Sequence, residues 1–406
     1  MERSLQSDRA KSAKTSFTQN FHVSFFLVQM SSHLHFTFKV SHSQGPTMAV
    51  GRLPENFNME IKKRLATLVG CNYAGTRNEL RGCINDVEAM RDLLIDRFGF
   101  DASNIVILTD EPGAQLLPTG ANIRQALRRM IDQANSGDIV FFHYSGHGTL
   151  IPSVNPHNGR RHRRRDEAIV PCDFNLLTDV DFRELVNQLP KDATFTMISD
   201  SCHSGGLIQN EKEQIGPSNS TFPTSSKHIL AHQRPKYIPF DSVLHHLSSI
   251  SGLTSPNVSD HLTNLFGSNA SPMFVPGTVL HRSYTDDEDA DDDDKDGGIL
   301  LSGCQTDETS ADMSPDEVEG TEGKAYGAFS NAIQMMMREE GEDDEEMISY
   351  KEVVLKVREL LKKQGFEQHP CLYCSDENAE KPFLMADEIE KKLDSCSSPS
   401  WNSSEE

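Results

Sequence analysis

Short apolar runs alternate with amphipathic segments between residues 65 and 200. The apolar runs, each closed by glycine or small polar residues, are 65–70, 105–108, the start of 138–149, and 195–198. The segments between them carry apolar residues at helical spacing, in three sets: Ile84, Val87, Met90, Leu94 and Phe98; Ile123, Ala126, Leu127, Met130 and Ile131; and Phe182, Leu185, Val186 and Leu189. Strands that alternate with helices predict an α/β fold whose mostly parallel sheet is covered on both faces.

The regular pattern fades after about residue 210 and resumes at Gly298. Residues 211–297 are rich in Ser, Asn, Pro and Thr and end in an acidic run at 286–296. One short helical pattern remains inside them, around Val243 and Leu247. We interpret this region as a long, largely mobile linker. Two further helices are predicted after it, around residues 329–336 and 353–361.

The first 58 residues are basic and poor in acidic side chains. Their apolar patch at 21–28 is interrupted by polar residues and lacks a clean cleavage site, which argues against a signal sequence. A transit peptide is an alternative. We favour an extension without ordered structure, such as a translated leader upstream of Met48 or Met59.

The composition restricts the cellular compartment and the classes of binding partner that we expect. Hydrophobic residues make up 36% of the chain, which is low for a wholly globular protein. The net charge of −22 argues against nucleic acid as a general partner. Eight cysteines in 406 residues do not suggest a disulfide framework, so we expect free thiols in the cytoplasm, with nuclear or extracellular release as alternatives. No apolar run has transmembrane length, and no membrane partner is expected.

Two glycine-rich motifs follow predicted strands. One carries His147 between Gly146 and Gly148, and the other carries Cys202 within Asp200–Gly206. The carboxyl ends of parallel strands share one edge of a sheet, so these side chains are expected to meet there. His147 precedes Cys202 by about 50 residues, a spacing typical of caspase-type cysteine proteases.

The pair has the chemistry of a nucleophile and its base. A thiolate is the attacking form of cysteine, and a nearby imidazole takes the thiol proton and returns it to the leaving amine. His143 lies inside the apolar run and is predicted to be a strand residue, while His203 points away from Cys202 in an extended segment. The alternative, an inert buried cysteine with an unrelated histidine, does not account for the two matching motifs.

Several segments of the chain resemble plant metacaspases. They are 143–149 (His-Tyr-Ser-Gly-His-Gly-Thr), 200–207 (Asp-Ser-Cys-His-Ser-Gly-Gly-Leu), 70–73, 82–87 and 302–312. No Pro-rich, zinc-finger-bearing segment precedes them and a linker divides the core, which is the type II arrangement. Residues 78–86 and 174–190 are most similar to the metacaspase-9-like branch.

The resemblance extends from about Lys62 to Leu384. It implies a caspase-like α/β/α sandwich and endopeptidase activity after Arg or Lys. The corresponding division of the chain is an extension (1–58), a large-subunit-like region (59–210), the linker (211–297), a small-subunit-like region (298–394) and a tail (395–406).

The resemblance also implies a role for individual residues. Cys202 attacks the scissile carbonyl, His147 transfers the proton, and the N–H groups of Gly148 and Cys202 form the oxyanion hole. Asp86 and Asp200 line the pocket for the basic side chain of the substrate, which suits a guanidinium or ammonium group. Further candidates for this pocket are Asp307 and, close to it, Cys83. From the sequence alone, Asp86 is equally a first-turn helix residue and Cys83 a small core residue.

Members of the family are made as zymogens and cut themselves in the linker. Among the basic linker residues, Arg234 precedes Pro235, which is a poor place to cut. Lys236 matches the cleaved position of the metacaspase-9-like branch, so we predict self-cleavage between Lys236 and Tyr237.

Calcium separates this chain from most type II relatives. Where they carry acidic residues, this chain has the basic loop 160–165, and Ca²⁺ needs several converging oxygens. We expect no metal or other cofactor and weak or absent calcium dependence. The basic loop is alternatively a nuclear-localisation patch or another self-cleavage site.

Two metal-site patterns are incomplete. The run starting at Asp292 resembles an EF-hand loop but has Gly303 in place of the twelfth-position Glu. Cys371, Cys374 and His369 resemble part of a zinc site but lack a second Cys-x-x-Cys pair.

The sequence therefore predicts a monomeric, self-processed cysteine endopeptidase that acts on protein and peptide substrates after Arg or Lys, in regulated proteolysis or cell death. The alternative from another class is an inactive caspase-fold scaffold or regulator. A papain-like protease is disfavoured, because no Cys-Gly-Ser-Cys-Trp-like segment is present.

Overall fold

The structure is a computed structural model of the 406-residue chain. It describes residues 22–30, 33–42, 45–50, 62–152, 165–202, 204–208, 211–216, 234–277, 298–305, 308–314, 323–339 and 347–385. The chain forms two compact units, Met1–Ile61 and Lys62–Glu406, each described by itself.

The first unit contains a three-stranded antiparallel sheet, where the sequence predicts no ordered structure. Its strands are β1 (His22–Met30), β2 (His33–His42) and β3 (Gly45–Val50), in that order. The signal for β2 is present in the sequence, because Leu34, Phe36, Phe38 and Val40 alternate with polar residues. Such a period of two is typical of a strand with one apolar face.

The second unit is organised around a seven-stranded mixed sheet. Its strands are β4 (Arg64–Gly70), β5 (Ile105–Thr109), β6 (Ile139–Ser145), β10 (Thr194–Asp200), β11 (Glu213–Ile215), β13 (Ile299–Ser302) and β16 (Cys371–Tyr373), in the order β11-β16-β13-β10-β6-β4-β5. β5, β4, β6, β10 and β13 are parallel, and β16 and β11 join antiparallel at one edge. The predicted α/β class is confirmed.

Helices cover both faces of this sheet. They are α1 (Cys83–Asp96), α2 (Gly120–Gln133), α3 (Asp179–Val186), α6 (Ala328–Glu339), α7 (Tyr350–Lys363) and α8 (Asp376–Glu380). Two linker helices, α4 (Phe240–Ser251) and α5 (Val258–Phe266), pack in a separate apolar cluster. Thr119 caps α2 by accepting a hydrogen bond from the Asn122 N–H, and Thr178 begins α3 in a capping box with Asp181. Among the described residues, no helix is long and apolar enough to cross a membrane.

Alternate residues of the central strands pack on opposite faces, because side chains in a strand alternate in direction. Leu68, Phe141 and Ile198 belong to the cluster that includes residues of α1, α6 and α7. Phe142 and Met197 belong to the cluster that includes residues of α2 and α3. The sheet is thus buried on both sides, as its continuous apolar runs predict.

Two small sheets lie outside the central one. The first consists of β7 (Gly148–Pro152), β8 (Arg165–Ile169) and β9 (Leu177–Thr178). The second consists of β12 (Arg234–Pro235), β14 (Ala311–Met313) and β15 (Tyr326–Gly327). Because β12 belongs to the linker, the second sheet connects the linker to the small-subunit-like region.

The linker is more structured than the sequence suggests. Instead of one short helix it contains α4, α5 and two short 3₁₀ turns at Gly267–Asn269 and Pro272–Phe274. Their apolar residues form a third cluster with residues of β7, β8 and the loop after β8: Ile151, Ala168, Val170, Phe174, Leu176, Ile238, Val243, Leu247, Val258, Leu262, Ala270 and Phe274. The sequence reading missed α5 because Ser, Thr and Asn separate its few apolar residues.

A buried ion pair ties this helical part of the linker to the main core. Arg124 of α2 is 6% exposed, and its Nε donates to Asp181 Oδ1 at 2.6 Å. The other guanidinium nitrogens donate to the carbonyl oxygens of Asn269 (2.8 Å) and Leu176 (2.5 Å). Ser271 Oγ donates to the second oxygen of Asp181 at 2.6 Å. One guanidinium therefore fixes both the start of α3 and the turn that follows α5.

Replacing Arg124 by Met should lower the free energy of unfolding by about 3–5 kcal/mol, because the Asp181 carboxylate would stay buried without its cation. Urea unfolding of Cys202→Ala protein, which lacks the thiol predicted to cut the chain, measures this. Arg91→Met is the matched control: its pair with Asp92 is exposed, and the change should be below about 0.5 kcal/mol. A loss below about 1 kcal/mol at Arg124 would contradict the assigned anchoring role.

Candidate active site

The carboxyl ends of β6 and β10 lie side by side. The strands are parallel neighbours, and their last residues, Ser145 and Asp200, are paired in register. His147 lies two residues beyond β6 and Cys202 two residues beyond β10. The structure thus brings the two predicted residues to one edge of the sheet, where parallel α/β folds have their sites.

The His147 ring is held by two neighbours. It is 4% exposed, and its centroid lies 4.8 Å from that of the Tyr73 ring. Nε2 is 2.7 Å from the Asn78 carbonyl oxygen. A carbonyl oxygen only accepts, so Nε2 carries the hydrogen, and Nδ1 of the neutral ring is the proton acceptor. Burial lowers the pKa of His147 to about 4. The nearby Lys236 charge acts in the same direction, and the hydrogen bond to Asn78 opposes the shift.

Cys202 is fully buried at the base of the same site. Its Sγ accepts a hydrogen bond from the Ser310 N–H at 3.1 Å. Ser310 lies just before β14, so the thiol is positioned by a residue more than 100 positions away in the chain. The sequence assigns no role to Ser310, although this residue lies in the segment 302–312 that resembles metacaspases.

Two backbone N–H groups converge on one carbonyl oxygen. The Lys236 oxygen accepts from Gly148 N at 3.0 Å and from Cys202 N at 3.2 Å. These are the two donors that the sequence predicts for an oxyanion hole. Position 148 requires glycine, because a Cβ there would lie 1.8 Å from the Cys202 carbonyl oxygen.

The Lys236 side chain fills a pocket lined by Asp86 and Asp200. All three side chains are fully buried. Lys236 Nζ lies 3.4 Å from Asp86 Oδ2 and 3.2 Å from Asp200 Oδ2, and it donates to Ser145 Oγ at 2.9 Å. The pocket therefore holds a basic side chain between two carboxylates, the arrangement expected for recognition of Lys or Arg.

Hydrogen bonds occupy the remaining oxygen positions of the two carboxylates. Asp86 accepts from Ser145 Oγ at 2.6 Å and from Gly327 N at 2.8 and 3.0 Å. Asp200 accepts from Ser310 Oγ at 2.5 Å and from Ser330 N at 2.9 Å. These donors come from the small-subunit-like region and from β6, so the pocket is complete only when both regions are packed together.

The pocket charges shift each other's pKa. Burial raises the pKa of Asp86 to about 7, although Lys236 opposes the shift. Burial acts in the same direction on Asp200, but the Lys236 charge and the hydrogen bonds from Ser310 and Ser330 bring its pKa below the usual value. The carboxylates raise the pKa of Lys236 in spite of its burial, so the side chain stays charged.

Two pocket residues were missed in the sequence. Asp312 is 2% exposed, accepts from the N–H groups of Arg81 and Gly82, and is close enough to Lys236 for that charge to lower its pKa against the effect of burial. Gly327 forms the pocket wall, because a Cβ there would lie 2.1 Å from Lys236 Nζ. Asp312 ends the segment 302–312 whose resemblance was noted, which was a usable signal. Gly327 gave none.

Cys83 lies close to the pocket, where it interacts with Lys236, Asp86 and Ser145. It is fully buried, and burial raises its pKa well above the usual value, while the Lys236 charge and the Ser145 hydrogen bond oppose the shift. The other predicted residues lie outside the described ranges; they are Asp307, His203, the loop 160–164 and the acidic run 286–296.

The incomplete zinc pattern is not assembled. Arg358 Nη2 donates to Cys371 Sγ at 3.7 Å, and His369 Nδ1 is 2.6 Å from Glu308 Oε1. In the ranges that the structure covers, no group of three His, Cys, Asp or Glu residues is arranged to hold a metal ion.

The arrangement presents a peptide carbonyl to a thiol. A lysine side chain is seated in an acidic pocket, its carbonyl oxygen points between two N–H donors, and one of those donors belongs to the cysteine itself. Two N–H donors on one peptide carbonyl next to a buried cysteine are elements of a site for nucleophilic attack on a peptide bond. The bound peptide is the chain's own linker.

Comparison with known proteins gives one consistent result. Residues 63–381 match the caspase-domain model of the C14 peptidases. The chain is 54% identical over 332 residues to metacaspase-9 of Arabidopsis thaliana, covering 80% of this chain and 97% of that protein. It is 39% identical to metacaspase-6 of the same plant, covering 79% and 99%, and 32% identical to metacaspase-1 of Schizosaccharomyces pombe, covering 77% and 67%.

His143 should make the protein less stable as the pH falls. It is fully buried beside Ser330, and burial lowers its pKa to about 3. Below about pH 6.5 the unfolded chain therefore binds a proton that the folded chain excludes, and stability is lost down to about pH 3. His143→Gln is added to Cys202→Ala protein, and the free energies of unfolding of the two proteins are compared. The effect of His143→Gln on this free energy should be more stabilising at pH 5 than at pH 7 by about 2 kcal/mol.

Urea unfolding at the two pH values measures this difference. His245→Gln, on the exposed side of α4, is the control substitution. If the His143→Gln difference were the same at both pH values, His143 would not be held neutral in the folded protein.

Proposed function

The chain belongs to the caspase-domain family of cysteine endopeptidases, as a plant type II metacaspase of the metacaspase-9 branch, and on this premise we propose that it cleaves proteins after Lys or Arg with a Cys202–His147 dyad. The observation that carries the proposal is the seating of Lys236, whose side chain lies between Asp86 and Asp200 while its carbonyl oxygen faces two N–H donors.

The first chemical step joins Cys202 to the substrate. Nδ1 of neutral His147 takes the thiol proton, and Cys202 Sγ attacks the carbonyl carbon of the basic residue. The developing oxyanion is stabilised by the N–H groups of Gly148 and Cys202, which already hold the ground-state oxygen at 3.0 and 3.2 Å. His147 then gives its proton to the leaving amine, and water hydrolyses the thioester.

Specificity follows from the charge of the pocket. Asp86 and Asp200 are both fully buried, so a neutral side chain in the pocket would leave them without a cation. A basic side chain satisfies them and also reaches Ser145 Oγ. An acidic side chain would add a third negative charge, so cleavage after Asp is excluded on electrostatic grounds.

The linker makes the uncut chain a zymogen. Lys236 occupies the position of the substrate's basic residue, so no other substrate enters until the Lys236–Tyr237 bond is cut. The proposed order of events is self-cleavage at this bond, release of Lys236 from the pocket, and then turnover of other proteins.

The remaining parts of the proposal concern cofactors, oligomeric state and cellular compartment. Cys202 and His147 need no metal for the steps above, and we propose activity without calcium or any other cofactor. We further propose a monomeric enzyme of the cytoplasm, with nuclear or extracellular release as alternatives, which acts on protein substrates in regulated proteolysis or cell death.

Self-cleavage should produce a fragment that begins at Tyr237. Wild-type protein purified from bacteria should contain it, and Cys202→Ala and Lys236→Gln proteins should not, because one lacks the nucleophile and the other the basic side chain. Lys212→Gln is the control, since Lys212 is exposed and pairs with Asp376 outside the site. Gel electrophoresis and N-terminal sequencing, with and without a calcium chelator, give the answer. A first residue other than Tyr237 would contradict the assignment, and loss of cutting with chelator would contradict calcium independence.

Removing either pocket charge should reduce cleavage of Arg peptides. Asp200→Asn and Asp86→Asn should each lower kcat/KM for an Arg-ending fluorogenic peptide by roughly 100-fold, which corresponds to about 3 kcal/mol of lost transition-state stabilisation. Glu359→Gln, on the exposed face of α7, should change nothing. Peptides ending in Gln or Asp are measured in parallel, and cleavage of them by the wild type at a comparable rate would refute the specificity.

A further inference from the structure

The residues before and after the Lys236–Tyr237 bond differ in how extensively they contact the rest of the protein. On the lysine side, the contacts are the pocket, the Lys236 N–H to Ser310 O bond at 2.9 Å, the short pairing of Arg234 and Pro235 with β14, and a hydrogen bond from the Arg234 guanidinium to the Glu79 carbonyl oxygen at 2.6 Å. Any substrate makes contacts of this kind and therefore competes for them once the bond is cut.

The tyrosine side is attached to a folded part of the protein. Tyr237 forms a β-bridge with Gly148, and the Ile238 N–H donates to the Gly148 carbonyl oxygen at 3.0 Å. The Ile238 side chain is 1% exposed inside the third apolar cluster, and α4 begins two residues later at Phe240. A cut before Tyr237 leaves the Ile238 hydrogen bond and its apolar packing in place, whereas the other hydrogen bond of the bridge, from Gly148 N to the Lys236 oxygen, belongs to the lysine side.

The anchor extends well beyond α4. The turn after α5 is held by Arg124 and Asp181 of the larger fragment, through Asn269 and Ser271. The smaller fragment also supplies β13, which lies between β10 and β16 in the central sheet. The new amino terminus therefore stays next to Cys202 after the cut, whereas the leaving amine of an ordinary substrate diffuses away.

Gly148 fixes the distance between the two reacting groups. Its N–H holds the carbonyl oxygen of the residue in the pocket, and its C=O holds the N–H of Ile238. An acyl group on Cys202 and the Tyr237 nitrogen are thus positioned by the same residue, in the relation that they had within the intact peptide bond. Such an arrangement gives an amine an effective concentration far above that of an amine in solution.

We propose that the self-cut enzyme is also a peptidyl transferase toward its own new amino terminus, with acyl groups ending in Lys or Arg as donors. The proposal rests on the endopeptidase function proposed above. In the step, the Tyr237 nitrogen attacks the thioester carbon, an amide C–N bond forms and the C–S bond breaks. Cys202 leaves as thiolate, and His147 takes the proton of the amine and returns it to the sulfur. The reverse of self-cleavage is one case of this reaction, and transfer of a substrate's acyl group is the other.

The test begins with self-cut wild-type enzyme whose smaller fragment starts at Tyr237. It is mixed at about pH 8, where an α-amino group is partly deprotonated, with an acetylated dipeptide that ends in Arg and carries a fluorescent amine. Fluorescence measures acyl-enzyme formation, and intact mass with peptide mapping measures the adduct. We expect part of the smaller fragment to gain the acetyl-dipeptidyl group, in amide linkage to the Tyr237 nitrogen, at early times.

Two controls isolate the position of the amine. Reductive dimethylation at about pH 7, which favours α-amino groups over lysines, should abolish the adduct while fluorescence continues. Ile238→Asp, which unseats the segment from its apolar cluster, should lower the ratio of adduct to released amine by at least about tenfold, because the amine loses its effective concentration.

The outcomes separate the two proposals. Fluorescence without adduct, or an adduct that survives dimethylation, overturns the transferase and leaves the endopeptidase. An unchanged ratio in Ile238→Asp also overturns the transferase, because seating of the segment would then be irrelevant. Absence of both fluorescence and adduct overturns the endopeptidase and the transferase together.

Discussion

Two fully buried carboxylates, those of Asp86 and Asp200, share the charge of one lysine, and the packing of the site depends on this charge compensation. Asp86 and Asp200 would each be unfavourable in the interior, and Lys236 compensates both. The remaining acceptor positions are filled by Ser145 of β6 and by backbone and side-chain donors from the small-subunit-like region, so the pocket is complete only when that region is packed in place. When the linker lysine leaves, the carboxylates have to gain a proton, water or another cation. In the proposed zymogen, the buried negative charge that holds the linker lysine in place would also select a basic side chain in the substrate.

The central sheet explains why chemistry develops at this edge. β6 and β10 are parallel, end in register and are buried on both faces, so the residues just beyond them are fixed by a strand pair that is packed on both sides. Gly148 makes the approach of the two strand ends possible, because no side chain fits against Cys202 at that point. A rigid frame of this kind keeps donors and nucleophile aligned without help from a ligand, which is the basis of electrostatic preorganisation.

The sequence was sufficient for the parts of the molecule that depend on local pattern. Continuous apolar runs predicted the buried strands, helical spacing predicted the covering helices, and the two glycine-rich strand ends singled out His147 and Cys202. Contacts between distant segments were not predictable in this way. Ser310 and Gly327 act through their backbone N–H groups and through absence of a side chain, which no local pattern marks. The linker helix α5 was missed because its stability comes from packing and from Arg124 rather than from its own composition.

The position of β13 has a consequence for the lifetime of the processed protein. This strand lies inside the sheet, between β10 and β16, yet a cut after Lys236 would place it on a different chain from β10. The intact chain folds in a reaction of one molecule, whereas the cut form would have to bring two chains together to regain the same sheet. Its folded state would then persist because unfolding is slow rather than because refolding is available, and its survival in a cell would be governed by a rate. Activation and a limited lifetime would thus arise from the same broken bond.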